Sequence, residues 1–248
     1  MAFDTQRTAW TRGQAEAAQI DVGLRQYMLR VYNYMASGLA LTGITAALVA
    51  STPALWQLFF QVGPRGHAGL TGLGWIVVIA PIGLVFALSA GMSRMRASTA
   101  MGLFWLYAGL MGLSLSSVFL TYTGASVTRV FFITSASFCG LSLYGYTTQR
   151  NLSAFGSFLV MGLWGIVIAS VVNMFLASSP LQFVISVAGV LVFAGLTAWD
   201  TQKIKEMYWV GDDGEVAGKK AVMGALTLYL DFINLFLMLL RFFGDRRD

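Results

Sequence analysis

Residues 154–177 read AFGSFLVMGLWGIVIASVVNMFLA, and no acidic or basic side chain occurs anywhere from residue 151 to residue 199. A helix rising 1.5 Å per residue crosses a hydrocarbon core of about 30 Å in about 20 residues. This run is long enough to do so alone. Six further stretches approach the same length and apolarity, near 28–50, 73–92, 98–121, 127–147, 180–203 and 219–242. They do not alternate apolar and polar residues as barrel strands do. The sequence therefore predicts an all-α integral membrane protein, a bundle of seven transmembrane helices.

Composition agrees. Of 248 residues, 57% are hydrophobic and 11% are charged, whereas soluble domains carry about 25% charged residues. The net charge of +5 sits in short segments between apolar runs, so it reads as an orientation signal and not as a nucleic-acid surface. No nucleic-acid partner is expected; the lipid bilayer is. Residues 1–24 are polar, with Asp4, Arg7, Arg12, Glu16 and Asp21. They lack an early apolar region, so no cleaved signal peptide is evident. They read as a mobile cytoplasmic N-terminal tail, with a helix starting near Asp21 and residues 25–248 forming the transmembrane domain.

Lys and Arg placement gives an orientation. Arg25, Arg30, Arg94, Arg96, Arg150, Lys203, Lys205, Lys219 and Lys220 fall on one side if the N-terminus is cytoplasmic, with Arg65 and Arg129 opposite. Arg241, Arg246 and Arg247 fit only if the last span is short or re-entrant; a full crossing breaks the bias. Pro81 lies inside the second span and should kink it. Close helix packing is expected from small residues such as Gly38, Thr42, Gly112, Ser116 and Gly189. Cys139 lies in an apolar run and reads as a packed small side chain. His67, in a Gly/Pro-rich stretch, reads as a loop residue. One cysteine and one histidine exclude a disulfide and a cysteine-rich zinc site.

The acids carry the functional signal. None lies between residues 22 and 199. Asp200 and Asp231 then appear among apolar neighbours that belong to spans, where an ionisable group is costly unless it is paired or faces water. Asp200 has Lys203 and Lys205 close by, which also suits a helix-end carboxylate. Asp231 lies 11 residues past Lys220, deep in the last span. The midpoint between the two acids falls inside Gly211–Gly218, the evident turn. An antiparallel hairpin centred there puts both carboxyls at one depth. Two close carboxyls in a low dielectric cannot both ionise cheaply, so such a pair can share a proton, lose it, or trade it for a cation. Thr227, Asp231, Asn234, Met238 and Arg241 form a polar stripe at helical spacing, which should face the bundle interior. Thr197 shares the face of Asp200. Arg30, Asn33, Tyr34 and Ser37 make another partly polar face, best read as an interfacial helix end.

Three segments resemble a known family. Thr197-Ala198-Trp199-Asp200-Thr201-Gln202-Lys203-Ile204-Lys205 is similar to the Asp-centred signature ending the sixth helix of the transmembrane Bax-inhibitor-motif (Bax inhibitor-1-like) family. Ala225-Leu226-Thr227-Leu228-Tyr229-Leu230-Asp231-Phe232-Ile233-Asn234-Leu235-Phe236 resembles its last helix. Tyr27 to Leu39 is similar to its bacterial members. The resemblance spans about residues 20–245. It implies a bacterial inner-membrane protein with the C-terminal helix at the centre of the bundle, acting as a pH-sensitive calcium leak and not as an enzyme. It implies that Asp200 and Asp231 form the proton-sensing, ion-binding dyad, with Asn234, Thr227 and Thr197 as supporting polar groups. It also implies a basic residue after the second helix that latches onto the dyad until protonation frees the central helix; Arg94 fits by position, with Arg96 second. Some bacterial relatives carry an acid within the second helix, and residues 73–93 contain none. Calcium would be a permeant ion, not a resident cofactor. Two aspartates make a weak, transient site, because calcium prefers six to eight oxygens and a conducted ion must leave as easily as it enters.

Other readings fit less well or rest on other residues. Intramembrane aspartyl proteases also carry two aspartates on consecutive helices, but they show Gly-x-Gly-Asp where Leu228-Tyr229-Leu230 precedes Asp231. A Gly-x-Ser-x-Gly elbow and a Walker loop are absent. A cation/proton exchanger could use the same dyad. Some bacterial relatives modulate an ATP-dependent membrane protease through their N-terminal tail. Deleting residues 2–20 separates the partner reading from the leak: a partner-binding tail loses protease regulation with calcium flux unchanged, and a tail without that role changes neither.

Overall fold

The computed structural model describes the backbone of residues 2–62 and 68–247, with side chains at residues 22–61 and 69–247. His67 and the rest of the 63–67 loop, Arg65 included, lie outside the described residues. The elements are α1 (Ala2–Ser51), α2 (Pro53–Phe59), β1 (Phe60–Val62), β2 (Ala68–Leu70), α3 (Gly72–Gly91), α4 (Ala97–Leu115), α5 (Val118–Thr121), α6 (Gly124–Thr147), α7 (Ser153–Leu176), α8 (Ser179–Glu206) and α9 (Gly214–Phe243). Among the described residues, seven helices are long and apolar enough to cross a membrane: α1 from Val22, α3, α4 continued by α5, and α6 to α9.

Local chemistry sets several of these boundaries. Thr71, Thr123, Ser178 and Asp213 each accept, through the side chain, the backbone N–H three residues on, so α3, α6, α8 and α9 start with a capped first turn. The third span breaks between α4 and α5 at two serines. Ser116 Oγ donates to the Leu113 carbonyl at 2.6 Å and Ser117 Oγ to the Ser114 carbonyl at 2.9 Å. Hydroxyls bonded to the preceding turn compete with the helical ladder. Helix α3 continues through Pro81. Between α2 and α3, β1 and β2 pair antiparallel, Phe60 opposite Leu70, where the sequence suggested only a loop.

Helix α9 is the axis of the bundle. It packs against α1 and α4 on one side and α6 and α8 on the other, with α3 outside α4 and α7 outside α8. In its most apolar stretch 72% of residues are buried, against 11% for α7. Small residues permit this: Ala221, Gly224 and Ala225 are buried near the start of α9, and Gly224 faces Ile204 of α8 and Val31 of α1. Further along, Tyr229 stacks edge-on against Phe104 and Tyr107 of α4. Its hydroxyl meets Thr42 Oγ1 of α1 at 2.6 Å. Thr42 Oγ1 also lies 2.9 Å from the Gly38 carbonyl and 2.8 Å from that of Ala108. With one proton to donate, it gives to a carbonyl and accepts from Tyr229.

Both ends of α9 are clasped. At the first, Glu215 accepts the Ala97 N–H of α4 at 2.6 Å. At the second, the chain after Phe243 lies against the α5–α6 junction: Thr123 N donates to the Asp245 carbonyl, Arg247 N to the Thr121 carbonyl, and Arg129 pairs with Asp245 at 2.7 Å. The last helix thus runs the full length of the bundle, which removes the short or re-entrant alternative.

Four expectations need correction. Helix α1 begins at Ala2 and not near Asp21; the expected tail is continuous with the first span. Helix α9 begins at Gly214, inside the expected turn, because Asp213 caps it. Cys139 is exposed on the outer face of α6, where a thiol facing lipid loses little. Close approach uses more than the small residues picked out by eye. Gly112 does meet Thr42, but among the described residues the tightest backbone contact between two spanning helices is at Gly145, where any Cβ would collide with the Ala198 carbonyl of α8.

Gly145→Ala should therefore lower the thermal midpoint in detergent, at a cost of about 1–3 kcal/mol, the usual range for overpacking. Gly102→Ala, whose Cβ would meet nothing within 4 Å, should not. Equal midpoints for the two variants would refute the tight α6–α8 contact.

Candidate functional site: a carboxyl pair between α8 and α9

Asp200 and Asp231 are buried, at 7% and 5% exposure. The two carboxyl groups lie close enough to act directly on one another. An ionised carboxylate only accepts, so a hydrogen bond between them would need a proton on the pair. Asp231 Oδ2 is buried with no conventional donor among the described residues.

The register of α8 and α9 makes the meeting possible. Gly224 faces Ile204 toward one end, and Gly189 faces Met238 toward the other. Residues whose numbers straddle about 214 evenly thus lie level; the two acids straddle 215.5, so they stand about one turn apart along the pair of helices. The physical reason differs from a tight turn, however. Helix α8 stops at Glu206 while α9 begins at Gly214, so in the register of those contacts α9 overhangs α8 by about two turns, and residues 207–213 run back out to meet it.

Among the described residues, one charged side chain acts on the pair. Lys203, one turn along α8, acts electrostatically on Asp200, and its Nζ lies 5.1 Å from the centre of the Trp199 ring. The supporting residues sort unevenly. Thr197 is buried but donates to the Phe193 carbonyl at 2.8 Å, so its proton stays within its own helix. Asn234 Nδ2 donates to the Leu230 carbonyl at 2.9 Å. Thr227, one turn before Asp231, is half-buried. The Arg30, Asn33 and Ser37 face of α1 is exposed, as an interfacial end should be.

Arg94 and Arg96 are not at the pair. Both are exposed in the α3–α4 turn, and among the described residues neither forms an ion pair with an aspartate. That turn leads into Ala97, which touches Gly218 of α9. Gly218 is 13 residues from Asp231, roughly 20 Å along the helix, beyond the reach of an arginine side chain.

The stripe on α9 does face an interior space. Asn234, Met238 and Arg241 line a cavity of about 840 Å³ bounded by α7, α8, α9 and the α5–α6 junction. Its inner end stops at Asn234, one turn from Asp231. The sequence showed the stripe; the cavity beside it depends on α7 standing off from α9, which no local pattern encodes. Among the described residues, no group of three or more His, Cys, Asp or Glu side chains could hold a metal. The pair offers two carboxyl groups and no more.

Comparison with known proteins extends the picture. The family described as "Inhibitor of apoptosis-promoting Bax1" matches residues 24–248. An uncharacterized protein of Rickettsia prowazekii is 53% identical over 92% of this chain and 93% of its own. Inner membrane protein YbhL of Escherichia coli is 48% identical over 91% of this chain and 94% of its own. An uncharacterized membrane protein of Streptococcus pyogenes is 36% identical over 91% and 95%.

Asp231→Asn keeps a donor facing Asp200 and should fold with little loss. Asp231→Ala leaves Asp200 buried without its partner and opens a void. It should be less stable by about 1–3 kcal/mol, the cost of an orphaned buried polar group. Thermal unfolding of the two variants in the same detergent checks this; equal stability would mean that the two carboxyls do not depend on each other.

Proposed function

Because this chain belongs to the Bax inhibitor family of membrane proteins, we propose that it is a pH-sensitive, calcium-permeable leak of the bacterial inner membrane, with its N-terminus in the cytoplasm. The observation that carries this reading is the buried Asp200–Asp231 contact between the central helix and α8. A shared proton joins the two helices at mid-bundle. With the proton gone, two like charges press on the same contact in a low dielectric. The force between α8 and α9 therefore changes sign with protonation, and such a contact biases a two-state helix arrangement.

The same pair supplies the ion chemistry. Two ionised carboxylates attract a divalent cation, yet they fall far short of the six to eight oxygens that calcium prefers. An ion held so lightly moves on, as conduction requires. Protons and calcium thus compete for one pair of groups. In this reading the proton itself is the clamp. Arg94 and Arg96 stay at the surface, and an arginine latch would need the α3–α4 turn to travel roughly the 20 Å estimated from the helical rise.

The test is calcium uptake into liposomes holding purified protein, from pH 5.5 to 8. The wild-type rate should change across this range. Asp200→Asn and Asp231→Asn should each flatten the profile, because neither variant retains two titratable groups. A wild-type rate indifferent to pH would remove the proposal. Uptake that stops when the proton gradient is collapsed would identify an exchanger instead.

A further inference from the structure

The cavity between α7, α8 and α9 has two unlike ends. Its inner part is lined by Leu163, Ile166, Phe193 and Met238, and its mouth carries Arg241 and Arg246 beside Gln182. No carboxylate belongs to the described lining. Among the described residues neither arginine has an acidic partner, and Asp245 close by in sequence is already paired with Arg129 at 2.7 Å. The first turn of α8, which begins at Ser179 and carries Gln182, borders the same mouth and presents the positive end of the helix dipole there.

The side of the cavity is open. Helix α7 packs chiefly on α8, and the residues that α7 contributes to the wall include Val167, Val171 and Met174, which are 44%, 50% and 80% exposed. Water would fill the mouth readily, but Leu163, Ile166, Phe193 and Met238 give it few partners; the polar lining on α7 and α9 is Ser170, Asn173, Asn234 and Arg241. A positive rim joined to an apolar slot that opens sideways matches a molecule with an anionic head and a hydrocarbon tail. Arg241 lies in the last turn of α9 and Arg246 three residues past its end, the place along a spanning helix where a lipid phosphate sits.

We propose that this cavity binds an anionic phospholipid, whose phosphate is held between Arg241 and Arg246 while one acyl chain lies along α7 and α8 toward Asn234. The inference is independent of the leak reading, since binding is measured without ion flux. It also gives the cavity an occupant whose tail ends about one turn from Asp231.

Native mass spectrometry of the full-length protein in detergent tests it, with phosphatidylglycerol and phosphatidylcholine of matched chains titrated separately. Two headgroup-level arginines should favour the anionic lipid by about thirtyfold. Arg241→Gln with Arg246→Gln should abolish most of that preference. Arg241→Lys with Arg246→Lys should keep it, and so should Arg150→Gln, which lies outside the cavity. Ser170→Trp, which fills the slot and leaves both arginines, should weaken binding of the anionic lipid. Inorganic phosphate in excess should not displace the lipid. Equal retention of the two lipids by the wild type overturns the proposal. So does a preference that survives the double Gln change, or unchanged binding in Ser170→Trp. Displacement by phosphate alone would also overturn it, by making the rim a free-anion site with no use for the slot.

Discussion

The contact between Asp200 and Asp231 constrains everything around it. A carboxyl group at this depth is tolerated only with a partner, and the neighbour supplied is a second carboxyl group, which can bond to it only through a proton. That requirement sets the register of α8 against α9. It needs residues above and below the pair that let the backbones come close, and Gly189 and Gly224 provide them. It also needs the pair shielded from lipid, which the burial of α9 by α1, α4, α6 and α8 achieves. The centrality of the last helix and the chemistry of the pair are two sides of one arrangement.

Much of this was legible before any coordinates. Predominantly apolar runs of about 20 residues have one stable use, so the seven spans could be read directly. Counting residues to the turn put the two acids at one depth. The α8–α9 contacts offset them by about one turn, because Asp213 caps α9 early and the helix overhangs its neighbour. The break at Ser116 and Ser117 also had a local signal, two adjacent hydroxyls in an apolar helix, which was read only as small-residue packing. Gly145 gave no signal, because a glycine in a glycine-rich membrane chain is distinguished only by what stands across from it.

The arginines divide along the same line. Charge placement between spans gives an orientation by counting alone, because it depends on sequence and not on packing. Which arginine approaches which acid depends on how far α9 projects past α8, and that projection carries Gly218 and the α3–α4 turn away from the pair. At the opposite end, the stripe of Asn234, Met238 and Arg241 was visible as a helical periodicity, but its meaning depends on the space that α7 leaves open.

The clasps at the two ends of α9 limit how the helix can move. Glu215 ties its start to α4, and Asp245 with its neighbours ties its finish to α6. A piston stroke along the axis would have to undo both fastenings together. Twisting or bowing between fixed ends undoes neither, and the greatest excursion of a bowed rod falls near its middle, which is where Asp231 stands.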